Sequence, residues 1–361
     1  MKKNKKIKEN KTTVNNKCDV LGIGSALLDI VVNVDDDFLK NLGLTKGGMS
    51  LVDEDQYKKI IDKISKIKSL KTRKFSGGSA ANTTIGVSNL GGKSMFVGKV
   101  GKDANGKDYK RLLSKKGVNP ILSLHDKMTG TVIALITPDG ERTMVTYLGA
   151  ASCLTKEDVL EEHFKKANIV HLEGYAFDLP NMREAALKAM MLAKKNKIAV
   201  SFDLSDPGVI RRNYGAIKKA VTDYADIVFA NEKEAEEFTG KNAYDAVHHI
   251  CDECNCAIAV VKLGEKGSIV KSRGKLYKIP ICKVNMINTL GAGDAYAAGF
   301  LYSISKKMPV ETAGRMGAYI SAQVVANEQA TLGKNISKQA MKFAKGETAN
   351  KNVVKKDKKT N

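Results

Sequence analysis

Short apolar runs and amphipathic stretches alternate along most of the chain. Runs of buried-strand character cover 19–23, 94–100, 131–137, 169–172, 198–203, 227–230 and 257–262. Helically spaced apolar residues mark 182–193, 216–224 and 243–254. That alternation predicts stacked β-α-β units. Several strands are apolar at every position, as a mostly parallel sheet covered by helices on both faces requires. A hairpin is expected from 267–271 and 275–279, joined through Ser272, Arg273 and Gly274. The stretch 30–52 breaks the rhythm: its short apolar pieces are punctuated by Asp and Gly, and another short strand follows at 72–76. These two pieces predict a small β-sheet projecting from the main body as a lid.

Composition narrows the picture. The chain has 361 residues, 43% hydrophobic and 27% charged, an ordinary globular balance. The formal net charge of +21 is uneven. Residues 1–17 carry seven Lys against one Glu, and 331–361 carry nine Lys against two acids. Both ends are read as lysine-rich tails too polar to order themselves, leaving 18–330 as the folded unit. Such tails can touch nucleic acid, but no aromatic residues alternate with the basic runs, so no specific nucleic-acid partner is expected. No apolar run approaches the roughly 18 residues a membrane span needs. The N-terminal lysines lack a following apolar segment, and six cysteines are too few for a disulfide scaffold. A cytoplasmic protein is the expectation.

Two glycine-rich helix starts carry the candidate chemistry. The first is Asn288-Thr289-Leu290-Gly291-Ala292-Gly293-Asp294 ahead of AYAAGFLYSIS. The N–H groups of Gly291, Ala292 and Gly293 can converge on an anion at the positive end of that helix. Asp294 lies beside them. A carboxylate next to an anion hole is what phosphoryl transfer to an alcohol uses: the acid takes the hydroxyl proton and the N–H groups neutralise developing charge. The plain alternative is an ordinary cap. The second start is Gly77-Gly78-Ser79-Ala80-Ala81-Asn82, where bare backbone and the Asn82 amide suit a polyol, or else merely tight packing.

Taken together, GGSAAN, SNLGG, GKVGKDANG and NTLGAGD resemble the two signatures of the ribokinase/PfkB family of carbohydrate and nucleoside kinases. The resemblance runs across about 19–330. The stretch from Gly22 to Gln56 and PDGERTMVTYLGA are most similar to the adenosine-kinase-like branch. The resemblance implies a ribokinase-like α/β/α sandwich and a MgATP-dependent kinase, acting as a monomer or a lid-mediated homodimer. The acceptor it implies is most readily the 5′-OH of adenosine, with another nucleoside or a free sugar or sugar acid as the alternative. A nucleoside-binding module without catalysis is a further alternative, opposed by the intact Asp294.

Carried onto this chain, the family's catalytic base falls on Asp294 and its anion hole on Gly291, Ala292 and Gly293. Asp29, placed at the end of the first strand, holds vicinal hydroxyls, with Gly77, Gly78 and Asn82 as its partners. Ser25 and Tyr175 complete the acceptor side, Ser25 standing where the branch usually has Asn. Asn231 and Glu234 match the N-x-x-E that manages Mg²⁺. Lys262, Gly264 and Gly267 match the nucleotide loop, and Ser205 lines the ATP cleft or caps the helix near 207. Asn288 replaces the usual Asp, a position bearing on a monovalent cation such as K⁺.

Two motifs are read as coincidence. Residues 101–108 nearly spell a P-loop, but Asp108 stands where Ser or Thr is needed, and Gly22-x-Gly24 lacks the third glycine of a dinucleotide fingerprint. The cluster of His248, His249, Cys251, Cys254 and Cys256 is read as structural, because no second C-x-x-C completes a zinc site.

Overall fold

The computed structural model describes residues 17–67, 72–287, 289–327 and 336–347. The chain opens with β1 (Cys18–Ile23) in a large sheet, then sends β2 (Leu27–Asn33), β3 (Met49–Leu51) and β4 (Arg73–Gly77) into a small one. It returns to the large sheet for β5 (Ser94–Gly101) and β6 (Val118–His125). It leaves again for β7 (Thr131–Ile136) and β8 (Arg142–Tyr147). The large sheet is completed by β9 (Ala167–Glu173), β10 (Ala199–Asp203), β11 (Ile227–Asn231), β12 (Ile258–Lys262), β13 (Ser268–Ser272) and β14 (Lys275–Ile279).

The large sheet has the order β14-β13-β12-β11-β10-β9-β1-β5-β6 and is parallel except for β13 and β14. Apolar cores lie on both of its faces. One packs Val170, Leu172, Val200, Phe202 and Val228 against the Pro180–Lys195 and Pro207–Tyr224 helices. The other packs Val20, Ile169, Phe229 and Val260 against the Ala292–Ser305 helix. This is the expected three-layer α/β/α sandwich with a mostly parallel sheet. The β13–β14 hairpin turns on Arg273 and Gly274, at φ 49° and 74°, the paired left-handed residues of a tight two-residue loop.

Four expectations need correction. The small sheet, ordered β3-β8-β7-β2-β4, takes β7 and β8 as well as the pieces near 30–52 and 72–76. The apolar run at 131–137 therefore belongs to the lid; β7 is buried at nearly every position, as the central strands of the large sheet are, so apolarity alone does not say which sheet a strand joins. The 30–52 stretch also contains a short helix, Asp36–Asn41, started by Asp35 accepting from the Phe38 N–H at 2.8 Å. Asp29 accordingly lies within β2, in the lid, and not at the end of the first strand.

The fourth correction concerns the C-terminal tail. Ser337–Ala344 is a helix whose Ala340 and Ala344 are buried with Met316, Ile320 and Val324 of the Val310–Val325 helix. Phe343 lies 5.3 Å from the Tyr319 ring. Small and apolar residues on one side give this lysine-rich segment a face to bury. The expectations for 1–16, Asn288, 328–335 and 348–361 lie outside the described residues.

Candidate active site

Four neighbouring strands of the large sheet each end on a polar side chain: β9 on Glu173, β10 on Asp203, β11 on Asn231 and β12 on Lys262. A parallel sheet aims its carboxyl ends at one rim, where ligands bind in open α/β folds. A cleft of about 890 Å³ opens there, lined by Asp29, Asn82, Asp203, Glu234, Lys262 and Asp294 among others.

Asp294 is reached by two helices packed unusually close. A Cβ on Gly86, in the Ser79–Asn89 helix, would sit 2.4 Å from the Ala298 Cβ of the Ala292–Ser305 helix, so only glycine allows the approach. Closeness of the helices lets Ser79 Oγ donate to Asp294 Oδ1 at 2.7 Å and Asn82 Nδ2 donate to Oδ2 at 2.9 Å. Burial pushes the Asp294 pKa up to about 6; the two donors oppose the rise, Asp203 adds to it, and Lys262 lowers it. The carboxylate thus sits near the working range of a general base. The amide of Asn82 being spent on Asp294, its Oδ1 is buried and has no partner among the described residues, a vacant acceptor beside the base.

The anion hole differs from the sequence expectation. Gly291 caps the Ala292–Ser305 helix at φ 74°, but the Ala292 N–H already donates to Thr289 O at 3.2 Å. Gly293 and Asp294 follow in the first turn, where helix geometry leaves N–H groups without intrahelical carbonyls. Lys262 adds the charge. Its Nζ lies 3.1 Å from where a Gly293 Cβ would project and 3.1 Å from Asp203 Oδ2. Burial works against the ammonium, but Asp203, Glu234 and Asp294 outweigh it, and the pKa stays raised. Lys262 is therefore a fixed cation over the helix start rather than a remote part of the nucleotide loop.

Across the cleft, Asp29 extends from the lid with Val132 and Met144 beside it. Burial first, then the nearby Asp294 charge, raises its pKa to about 7. Gly77 lies under that carboxylate, where a Cβ would fall 2.4 Å from its oxygens. Gly78, at φ 98°, starts the Ser79–Asn89 helix with no room for a side chain: a Cβ would sit 2.0 Å from Ser25 O. Gly77 and Ser25 do not line the cleft; both support it. The Ser25 N–H donates to Glu173 Oε1 at 2.9 Å, and the Ala80 N–H donates to Glu173 Oε2 at 2.8 Å. Glu173 thereby fastens the end of β1 to the helix that grips Asp294.

At the end of β11, Asn231 and Glu234 form a capping box. Asn231 Oδ1 accepts from the Glu234 N–H at 2.9 Å, and Glu234 Oε2 accepts from the Asn231 N–H at 2.7 Å. Asn231 Nδ2 also donates to Glu234 Oε1 at 2.6 Å. Burial raises the Glu234 pKa to about 7, with Lys262 opposing and Asp203 assisting. No group of three or more His, Cys, Asp or Glu among the described residues is placed to cage a metal. A Mg²⁺ carried by nucleotide phosphates suits such a site better than an all-protein cage does.

Gly264 and Gly267 line the cleft at φ 57° and 90°. Ser205 also lines it, but it does not cap the next helix. Asp206 does, accepting from the Val209 N–H at 3.0 Å. Ser205 instead holds a left-handed bend at φ 70° and accepts from the Gly174 N–H at 2.9 Å. Tyr175, 44% exposed, borders the cleft and donates to Ser205 O at 3.3 Å. Sequence reasoning missed Ser79, Glu173 and Asp203. The available signal was positional: each apolar run in IVHLE, AVSFD, IVFAN and IAVVK closes on one polar residue.

Comparison with known proteins agrees with this geometry. A 5-dehydro-2-deoxygluconokinase of Listeria monocytogenes is 28% identical over 271 residues, covering 72% of this chain and 83% of that protein. Among solved structures, a probable sugar kinase from Rhizobium etli superposes with a TM-score of 0.80 at 30% identity, covering 90% of this chain and 98% of the other. The adenosine kinase from Sinorhizobium meliloti gives 0.79 at 30% identity, with the same coverage of 90% and 98%. Residues 48–336 match the profile described as pfkB family carbohydrate kinase. The chain therefore belongs to the pfkB family of carbohydrate kinases and is a phosphotransferase acting on a hydroxyl group.

Proposed function

We propose that the chain transfers the γ-phosphoryl group of ATP to a hydroxyl of a free sugar or sugar acid. The observation that carries this reading is the environment of Asp294: a base held by Ser79 and Asn82, a vacant Asn82 Oδ1 next to it, and Lys262 over the helix start. In this reading Asp29 and Asn82 Oδ1 take acceptor hydroxyls, and Asp294 removes the proton from the attacking one. Lys262 and the N–H groups of Gly293 and Asp294 balance charge on the transferred phosphoryl. Mg²⁺ neutralises phosphate charge when it arrives with the nucleotide, and Asn231 and Glu234 would hold its water shell. The lid strands bearing Val132 and Met144 exclude water from the acceptor.

Two features favour a sugar over adenosine. Tyr175 and Tyr296 are the rings lining the cleft among the described residues, and Tyr296 is buried, its hydroxyl bonded to Ser268 Oγ at 2.7 Å. A purine therefore finds one accessible ring, whereas a polyol finds Asp29 and Asn82. The curated relatives are also named as sugar-acid kinases. The likeness to the Sinorhizobium meliloti adenosine kinase supports the second reading, the 5′-OH of adenosine. ATP consumption with 5-dehydro-2-deoxygluconate, fructose, ribose and adenosine separates the two. The first reading expects one of the three sugars to exceed adenosine in kcat/KM by at least about 10²-fold, the discrimination a site built around hydroxyl partners can supply. Adenosine as the best acceptor overturns it.

A further inference from the structure

The acceptor end of the cleft is built from carboxylates. Asp29 reaches it from the lid and Asp294 from the Ala292–Ser305 helix, close enough that the Asp294 charge helps hold the Asp29 pKa at about 7. Glu173 is buried behind them. Three donors around the start of the Ser79–Asn89 helix are already committed: Ser79 Oγ and Asn82 Nδ2 to Asp294, and the Ala80 N–H to Glu173. What these residues offer an incoming molecule is a set of hydrogen-bond acceptors. They are the two aspartates and Asn82 Oδ1, which is buried without a partner among the described residues.

Positive charge lies elsewhere. Among the described residues, the cations lining the cleft are Lys262 and Lys283. Lys262 is held by Asp203 at 3.1 Å, over the helix start at Gly293. Lys283 follows Cys282, which packs beside Met316 and Ile320 of the Val310–Val325 helix. The lid itself brings Asp29, Val132 and Met144 to the cleft, one anion and two apolar side chains. By strand register Arg73 and Arg142 share the lid face of Asp29, but neither lines the cleft and both are engaged.

We infer that this pocket selects an uncharged polyol and turns away acceptors that carry a carboxylate. The inference rests on the sugar-kinase reading above and narrows it from free sugar or sugar acid to free sugar. A hydroxyl donates as well as accepts, so each one that enters can give its hydrogen to Asp29, Asn82 Oδ1 or Asp294. A carboxylate has no hydrogen to give. Beside Asp29 and Asp294 it meets like charge, and in a site shielded from water that repulsion is strong. Selectivity of this kind comes from what the pocket repels, without a contact special to the favoured compound. It sets the chain apart from the curated relatives named for a sugar acid.

The test compares acceptors that differ in this charge. ATP consumption by the full chain is measured at pH 8 with fructose and ribose against 5-dehydro-2-deoxygluconate, gluconate and ribonate. The best neutral sugar should exceed the best acid in kcat/KM by at least about 10-fold, a modest yield from like-charge repulsion. A smaller ratio overturns the inference. Asp29→Asn removes one charge and keeps the shape; it weakens both classes but should shrink the ratio by at least about 3-fold. Met144→Arg, which sets a cation on the lid wall, should shrink it by at least as much and serves if Asp29→Asn does not fold. A ratio that stays the same in the folded variants also overturns the inference. If no compound is turned over, dissociation constants from isothermal titration calorimetry carry the same comparison with the same thresholds. The two readings fail separately. Adenosine as the best acceptor overturns the sugar assignment and leaves the charge preference to be read from the same ratio, whereas a sugar acid as the best acceptor overturns only the charge preference.

Discussion

Asp294 is held between opposing demands. Burial favours its neutral form, while Ser79, Asn82 and Lys262 favour the carboxylate, and the balance leaves its pKa at about 6. Asp294→Asn keeps the shape and removes the proton acceptor, so turnover should fall by at least about 10²-fold with ATP binding largely retained. Steady-state kinetics and nucleotide titration of the variant check both halves. The pH profile follows from the same value: kcat/KM should fall as pH drops through about 6, because the base is then protonated. Stability runs the other way at Asp29. Its native pKa of about 7 lies above the ordinary 3.8, so the unfolded chain ionises first and stability is lost as pH rises between them. Asp29→Asn should therefore raise the thermal midpoint at pH 8 by about 4 °C and leave it unchanged at pH 4, while acceptor KM rises. Equal midpoints at both pH values would contradict that account. Most of these residues were legible because they sit in short motifs. Glu173 and Asp203 were not, because each is a lone acid after an apolar run, and only the sheet brings them to one rim.

At the scale of single elements, much of the site is made by how helices begin. The Ser79–Asn89 helix starts on Gly78, whose left-handed backbone and missing Cβ let it pass Ser25 O. Gly78→Ala should cost about 2–4 kcal/mol, from backbone strain and the clash together, measured as a lower urea midpoint. It should also lower turnover, since Ser79 and Asn82 move with the helix. The Asn231–Glu234 pair, matched in sequence to an N-x-x-E that manages Mg²⁺, has the spacing of a capping box as well, and the structure makes it a cap that lines the cleft. The Ser337–Ala344 helix illustrates the opposite limit. Its lysines concealed a short buried face, because charge counts say nothing of which side of a helix the lysines occupy. Ending the chain after residue 336 uncovers Met316, Ile320 and Val324. The shortened protein should melt several degrees lower, about what losing 1–2 kcal/mol of apolar burial implies.

For the molecule as a whole, the parallel sheet was written plainly in the sequence as successive apolar runs. The lid was harder to read, because its strands come from two excursions, 27–77 and 131–147, and each returns to the large sheet. The chain therefore crosses between the sheets four times. Asp29 belongs to one sheet and Asp294 to the helix layer of the other. Any swing of the small sheet about those four crossings changes the gap between two like charges, and with it how tightly Asp29 keeps its proton. The titration of one carboxyl thus becomes a gauge of jaw angle: acidity that strengthens when the jaws part, and a proton taken up when they shut.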